Sequence, residues 1–466
     1  MEKIRYLILG AGPTGLGTAY RLNELGMTDL LVLEQTDHPG GLAASFTDEH
    51  GFTWDIGGHV QFSHYRYFDE LMLKALGNEG WLKHQRESWA WMEGRFVPYP
   101  VQNNIRYLPR EKMWACLDGI ITANLQSGAA GSPANFKEWI LSRFGPGLSE
   151  IFMLPYNFKV WAYPPEELSH SWVGERVAIT DVRRVTKNIV FGQDDLSWGP
   201  NNTFQFPLHG GTGAIWERVA GFIGNHHFRY HSIVDTIDVE QRVVRCTDGR
   251  EYEYESLIST LPLDISTRML VPEQPVLREA ASRLKYSTSH IVGIGLNGQP
   301  PASLRTKCWM YFPEADCPFY RTTVFSNYSP NNVPDIRSFW SLMTETSESP
   351  RKPVDQSRLV EDTIQGCINT GMIEDRSRIV STWTYRAEHG YPTPSVGRDE
   401  ILRTILPGLE RLGIYSRGRF GAWKYEVSNQ DHSLMQGVEL ANYLVHGVPE
   451  TTLPFPEVAN ANWGRR

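Results

Sequence analysis

Gly10-Ala11-Gly12-Pro13-Thr14-Gly15 and the carboxylate of Glu34 are the residues whose types and spacing most directly imply chemistry. Glycines at this spacing can hold a diphosphate. Gly10 permits a tight turn, Gly12 lets a pyrophosphate approach the backbone, and Gly15 lets a helix pack on a strand. A helix that begins here turns its partial positive end toward the phosphates. Glu34 lies about 20 residues further on, where a carboxylate can accept ribose hydroxyls. This chemistry needs a particular frame around it. Residues 6–9 read as a buried strand, 16–25 have helical periodicity, and 30–33 read as a second strand ending at the acid. Strand, glycine turn, helix, strand and acid together form a dinucleotide fingerprint.

Two further glycine pairs follow. Gly40-Gly41, then Leu42, suits backbone close to a phosphate or a ribitol chain. Gly57-Gly58, then His59, suits backbone laid against a flat ring. With the fingerprint, these features resemble the FAD-binding domain of the glutathione-reductase-like flavoproteins, where the second glycine run sits beside the isoalloxazine.

The rest of the chain bounds the reading. Its 466 residues allow two or three domains. Lys and Arg total 45 against 53 Asp and Glu, a net charge of -8 with no basic block, so nucleic acid is not an expected partner. Bound phosphates then need locally placed arginines. Five cysteines, Cys116, Cys246, Cys308, Cys317 and Cys367, show no metal-ligand spacing. They read as reduced thiols of a cytosolic protein without a metal site. No apolar run is long enough to span a bilayer and the chain begins with a strand, so neither membrane association nor a signal segment is expected.

The expected class is α/β: a Rossmann-like FAD-binding domain with an inserted helical domain and a mixed or antiparallel sheet domain. The expected division is 1–108 for the first part of the FAD domain and 109–200 for a helical substrate domain, with helices at 111–126, 135–144 and 148–158. Residues 201–284 return to the FAD domain through strands at 232–238, 242–247 and 256–260, with Val234 near the adenine. Residues 285–395 form the substrate sheet, with strands at 290–296, 307–312, 321–327 and 338–343. Residues 396–466 complete the FAD domain with a glycine-flanked strand from Gly418, a turn, and a helix from near Asp431.

A series of longer motifs narrows the reading. It comprises Trp54-Asp55-Ile56-Gly57-Gly58-His59-Val60-Gln61-Phe62-Ser63-His64-Tyr65, Val97-Pro98-Tyr99-Pro100-Val101-Gln102-Asn103-Asn104, Pro155-Tyr156-Asn157-Phe158-Lys159-Val160-Trp161-Ala162 and Gly174-Glu175-Arg176-Val177. Cys308-Trp309-Met310-Tyr311-Phe312-Pro313-Glu314, Phe319-Tyr320-Arg321 and His389-Gly390-Tyr391-Pro392-Thr393-Pro394 follow. The last are Gly418-Arg419-Phe420-Gly421-Ala422-Trp423-Lys424-Tyr425-Glu426-Val427 and Asn429-Gln430-Asp431-His432-Ser433. In order and over nearly the whole chain, this series resembles the eukaryotic-type UDP-galactopyranose mutases.

The resemblance implies a flavin-dependent, non-redox ring contraction that interconverts UDP-galactopyranose and UDP-galactofuranose through an N5-glycosyl flavin iminium intermediate. It implies FAD held non-covalently and active when reduced, with NADPH or NADH as a candidate reductant. The partner would be a small nucleotide sugar, the setting cytoplasmic, and a homo-oligomer is allowed. By the same resemblance Arg176 and Arg321 take the pyrophosphate, where arginine's planar fork suits phosphate oxygens. Tyr311, Tyr391 and Tyr425 donate to the same phosphates. Tyr99 and Gln102 match the base pocket, and Asn157 and Trp161 the ribose contacts. Phe152, Met153 and Tyr156 lie on the same helical stretch. Asn201 matches a galactose-side residue on a mobile loop, and Trp309 a wall of the sugar pocket. His59, beside Gly57 and Gly58, matches a residue whose backbone responds to the flavin, with no side-chain acid–base role required. Arg419 matches a flavin contact, and Asn429, Gln430 and Ser433 match ribitol or phosphate contacts.

Val101 stands where fungal members carry phenylalanine, Gln61 replaces an aliphatic residue near the flavin loop, and Gln205 and His209 replace arginines. These departures leave open the same mechanism on another nucleotide sugar, such as UDP-N-acetylgalactosamine or a UDP-pentose. An amine-oxidase-type FAD oxidoreductase shares the fold and the N-terminal motifs, but paired phosphate arginines argue against it. A non-catalytic flavoprotein that binds nucleotide sugars is the third reading. Segments 173–181 and 197–202 read as loops that close over the diphosphate, because glycine and asparagine tolerate hinge conformations.

No histidine or cysteine is placed for a covalent link to the flavin ring. Heat denaturation of the purified protein is therefore expected to release a yellow supernatant. A colourless supernatant above a yellow pellet would show a covalent link instead.

Overall fold

The first strand, Glu2–Leu9, is buried from Tyr6 onward and pairs in parallel with Leu30–Leu33, with Leu7 beside Leu31 and Leu9 beside Leu33. Both are continuous apolar runs because the sheet is covered on both faces. Between them the helix Pro13–Glu24 starts directly at the glycine turn, with Gly12 as its N-cap and proline in its first turn. Gly10 sits at φ 100°, a conformation suited to glycine, and a Cβ on Gly15 would lie 1.9 Å from the Gly10 carbonyl oxygen.

A computed structural model describes residues 1–126, 131–196 and 202–461. Its larger sheet has eight strands. Their order is Leu270–Val271, Val234–Asp238, Val243–Cys246, Glu251–Ser259, Glu2–Leu9, Leu30–Leu33 and Phe228–Arg229, with Ile414–Ser416 also pairing on Glu251–Ser259.

The last long helix, Gln430–His446, packs on the first. A Cβ on Gly437 would lie 2.2 Å from the Thr14 carbonyl oxygen, and one on Gly17 would lie 2.5 Å from that of Leu434. Thr14 Oγ1 donates to the Ser433 carbonyl at 2.8 Å, so the first turns of both helices stand side by side. Two helix N-termini therefore lie side by side.

The second sheet has seven strands, in the order Ile379–Pro392, Tyr286–Asn297, Phe339–Glu348, Arg321–Val324, Trp309–Tyr311, Ser88–Met92 and Arg95–Pro98. All neighbours are antiparallel except Trp309–Tyr311 with Ser88–Met92. Its last hairpin comes from residues 88–98, which the division at residue 108 assigns to the FAD domain. Such a non-local pairing leaves no trace in local periodicity. The segment before that hairpin also reaches this sheet: a Cβ on Gly293 would lie 2.6 Å from the Trp54 ring, so Trp54 lies flat on the strand.

The helical part runs through Arg110–Gln126 and Phe136–Leu148, then a wide turn at Ser149–Met153, then Leu154–Trp161. Several expected spans change. Residues 418–427 hold no strand; the strand is Ile414–Ser416, and a single 3₁₀ turn, Tyr425–Val427, follows. The strand from Arg321 stops at Val324 and turns at Phe325–Asn327. Phe339–Glu348 runs past Met343 because its polar half, Thr344 to Ser347, is buried between neighbouring strands. A helix, Gly213–Ile223, occupies the segment read as strands only. No helix among the described residues is long and apolar enough to cross a membrane.

Gly437→Ala should destabilise the holoprotein by about 1–3 kcal/mol, the usual scale of overpacking, and should lower flavin retention. Gly221→Ala is the control, because a Cβ there meets nothing within 4 Å among the described residues. Denaturant titration compares the two, and equal midpoints would refute the tight helix contact.

Candidate active site

Glu34 is buried where the second strand ends. Its Oε2 accepts the Ala11 N–H at 2.8 Å, and its Oε1 accepts the N–H and hydroxyl of Thr36, both at 2.9 Å. Ser232 N–H donates to the Glu34 carbonyl at 2.8 Å, which places Val234 two residues from the acid. Gly40 N–H donates to the Ala11 carbonyl at 2.9 Å, and a Cβ on Gly41 would come within 3.3 Å of Gly12 Cα. The Gly40-Gly41-Leu42 turn thus rests on the fingerprint. From the other side, a Cβ on Gly418 would lie 2.5 Å from Thr14 Oγ1.

Asn429 is the N-cap of the last long helix, and Ser433 lies in its first turn. Gln430 Oε1 accepts from Gln61 Nε2 at 2.8 Å and from Trp216 Nε1 at 3.0 Å, while its Nε2 is buried with no partner among the described residues. Gln61, a departure in sequence, is thereby tied to a cofactor-motif residue. Arg419 donates to the Gly390 carbonyl and to Ser428, and its guanidinium lies 4.7 Å from the Tyr391 ring centroid.

The Gly57-Gly58-His59 turn is held by a residue the sequence reading missed. Glu345 Oε1 accepts the Gly58 N–H at 2.9 Å and Arg321 Nε at 2.6 Å. Its Oε2 accepts Arg321 Nη2 at 2.5 Å and the Tyr320 hydroxyl at 2.7 Å. Arg321 and Glu345 are direct cross-strand partners. Burial pushes Glu345 up, but Arg321, the Gly58 N–H and Tyr320 together outweigh it and hold the carboxyl below its ordinary range. The missed signal was an acid inside a strand whose end was set too early, at Met343. His59 Nδ1 is buried with no hydrogen-bond partner among the described residues. Burial pushes the imidazole down to about 4; Glu345 pulls the other way, and Arg419 and Arg321 reinforce the burial. The ring is therefore neutral at pH 7 and is not a ready proton donor.

Beyond this turn lies a cage of aromatic rings. Tyr311 has Tyr99 at 4.6 Å, Tyr156 at 5.3 Å and Trp309 at 6.5 Å between ring centroids. Phe152 stacks on Tyr156 at 5.4 Å. Trp161 meets Tyr425 at 4.8 Å and Tyr391 at 5.9 Å. Met153 lies in the same core, and Asn157 Nδ2 donates back along its helix to the Met153 carbonyl at 2.7 Å. Burial raises the hydroxyls of Tyr99, Tyr156 and Tyr425, which stay protonated as donors. Arg321 lies over Trp309 at 4.7 Å and Arg176 over Tyr425 at 5.7 Å. Arg86, also missed, covers Trp309 at 4.5 Å and donates to the Tyr311 hydroxyl at 3.1 Å. It carries no motif of its own and is brought in by the 88–98 hairpin that follows it. Gln102 Nε2 donates to the Ala178 carbonyl at 2.8 Å. Among the described residues Gln102 Oε1, Trp161 Nε1 and Trp309 Nε1 are buried without partners, which leaves them available to a ligand in the cage. Asn201 and residues 197–200 lie outside the described residues.

The donor set fits a dinucleotide flavin. Two helix N-termini lie side by side, and nothing among the described residues beyond its chain neighbours lies within 4 Å of a Cβ built on Gly12. Comparison with known proteins agrees. The family model described as flavin containing amine oxidoreductase matches residues 13–409, so the chain is a flavoprotein of that class. Polyamine oxidase 1 of Zea mays is 57% identical over 37 residues, 8% of this chain and 7% of that protein. Flavin-containing amine oxidase A of Canis lupus familiaris is 25% identical over 333 residues, 66% of this chain and 56% of that protein. The chain thus spans only part of the length of these curated relatives. A solved structure of reduced UDP-galactopyranose mutase is 46% identical, with a TM-score of 0.95, covering 100% of this chain and 98% of that one. The chain belongs to the UDP-galactopyranose mutase family.

Glu345→Ala should cost about 3–5 kcal/mol, because it leaves the Arg321 charge buried without its partner. The visible spectrum of the bound flavin should also shift, since Gly58 loses its acceptor. A loss under about 1 kcal/mol in chemical denaturation would show that water replaces the carboxylate.

Proposed function

We propose that this chain is an isomerase that interconverts UDP-galactopyranose and UDP-galactofuranose on reduced FAD, without net redox change. The observation that carries this reading is a cage with three unpartnered buried polar atoms, two motif arginines at its walls and the Gly57-Gly58-His59 turn beside it. When bound and reduced, the flavin supplies a nucleophilic ring nitrogen.

The chain's own residues bind, orient and exclude water. Arg176 and Arg321 hold the diphosphate, with Tyr311, Tyr391 and Tyr425 as hydroxyl donors. Tyr99 and Gln102 hold the base, and Asn157 and Trp161 the ribose. Trp309 walls the sugar. Phe152, Met153 and Tyr156 back the nucleoside pocket. The segment 173–181 closes over the site, and closure protects an activated sugar from hydrolysis; Asn201, outside the described residues, is the proposed sugar-side contact. Gly10, Gly12, Pro13, Thr14, Gly15, Glu34, Gly40, Gly41, Leu42, Val234, Gly418, Arg419, Asn429, Gln430 and Ser433 hold the FAD. NADPH or NADH is the proposed source of reducing equivalents.

An oxidase of the amine type is the weaker reading. Arginine guanidiniums are costly to place in a pocket for an apolar or cationic substrate, and this cage has three beside its rings. The same cage leaves a different sugar on the same nucleotide as the nearer alternative.

The direct test is to incubate dithionite-reduced protein with UDP-galactofuranose and resolve the products by chromatography. UDP-galactopyranose should form with no stoichiometric consumption of reductant. Stoichiometric consumption would favour the oxidoreductase. Arg176→Ala should weaken UDP binding by roughly 2–3 kcal/mol, the scale of a charge-assisted contact, and leave the flavin spectrum unchanged. An equal dissociation constant by fluorescence titration would remove Arg176 from the site.

A further inference from the structure

The end of the described chain reaches back to Arg176. After the helix Gln430–His446, residues 447–460 run as a strap whose anchors are built in. Glu450 takes the buried Arg417 guanidinium in a fork at 2.7 and 2.6 Å. Thr451 and Thr452 N–H donate to Glu439 Oε2 at 2.9 and 2.8 Å, and Lys424 Nζ donates to the Leu453 carbonyl at 3.2 Å. The strap ends in one helical turn, Pro456–Ala459, followed by Asn460.

Asn460 uses both ends of its amide. Nδ2 donates to the Glu426 carbonyl at 2.9 Å and to the Pro456 carbonyl at 2.8 Å. Oδ1 accepts from Arg176 Nη2 at 3.2 Å, and the same Nη2 donates to the Glu426 carbonyl at 2.6 Å. Both hydrogens of Nη2 are thus used. Among the described residues no hydrogen bond engages Arg176 Nε or Nη1, so the three N–H donors on those two nitrogens stay available. Both acceptors are neutral. The Glu426 carboxylate is itself taken by Arg398 at 2.8 and 2.7 Å. Arg321 differs, because a carboxylate compensates its charge.

We propose that Asn460 is a positioning residue for Arg176. It anchors one end of the guanidinium with a neutral oxygen, leaving the other donors and the whole charge for an anion. The C-terminal strap is thereby part of the diphosphate site. This rests on the reading that Arg176 binds the nucleotide diphosphate.

The test is a double-mutant cycle in the flavin-loaded full chain, with UDP as the probe. Asn460→Ala should raise the UDP dissociation constant about tenfold, the worth of one hydrogen bond to a charged group. It should have no further effect in the Arg176→Ala background. Asn460→Asp should bind UDP more weakly than Asn460→Ala at low ionic strength, with the gap closing at high salt as the added charge is screened. Effects of Asn460→Ala and Arg176→Ala that multiply independently would overturn the proposal, as would wild-type affinity in Asn460→Ala or Asn460→Asp. If wild type fails to bind UDP, or Arg176→Ala binds it equally well, the functional reading fails instead. A silent Asn460→Ala beside a defective Arg176→Ala removes the positioning role alone.

Discussion

Glu345 is almost fully buried and takes four hydrogen bonds from Gly58, Tyr320 and Arg321. A carboxylate at that depth is tolerable only when paired and saturated with donors. Those donors come from two distant stretches of chain, the Gly57-Gly58-His59 turn and the segment Tyr320-Arg321 that opens the strand Arg321–Val324. The requirement to satisfy one charge therefore fixes the distance between the two halves of the site. Gly57 and Gly58 are close-packed against this carboxylate, since a Cβ on either would come within about 3.3 Å of a Glu345 oxygen. A side chain there would push the turn away from the arginine.

The cations of the site are held in different ways. Arg321 is charge-compensated by Glu345, whereas among the described residues the hydrogen bonds of Arg176 and Arg419 go to neutral oxygens. A guanidinium held by dipoles keeps its charge for a ligand. The chain as a whole carries a net charge of -8, so on the proposed function attraction for an anionic substrate is local. The helix N-termini behind Gly12 and Asn429 add fixed partial charges at the dinucleotide end. On the proposed function, anion binding is distributed over two regions, one of backbone dipoles and one of arginines, separated by the glycine-histidine turn.

The aromatic residues serve two ends. Trp54 and Phe52 are core residues that lay the glycine turn onto the second sheet. Trp161, Trp309 and Tyr311 are equally buried, yet both indole N–H groups lack partners. Burial alone does not tell a core ring from a site ring, and an unpartnered polar atom does not do so by itself, since the core residues Trp340 and Tyr254 also carry one among the described residues.

The sequence alone determined the fingerprint. A glycine turn between a strand and a helix is a local arrangement, legible because each glycine answers a local steric demand. The series of motifs carried the family, and the strand Leu30–Leu33 matches its expected span. Only the tertiary structure decided the pairings between distant segments. Glu345 became visible when the strand through Met343 was seen to continue and pair with Arg321. Arg86 entered with a hairpin, residues 88–98, that crosses into the second sheet. Asn460 met Arg176 because a strap anchored by Glu450 and Thr451 folds back over 284 residues of separation. Periodicity reports which face of an element is buried, but it holds no information on what that face is buried against.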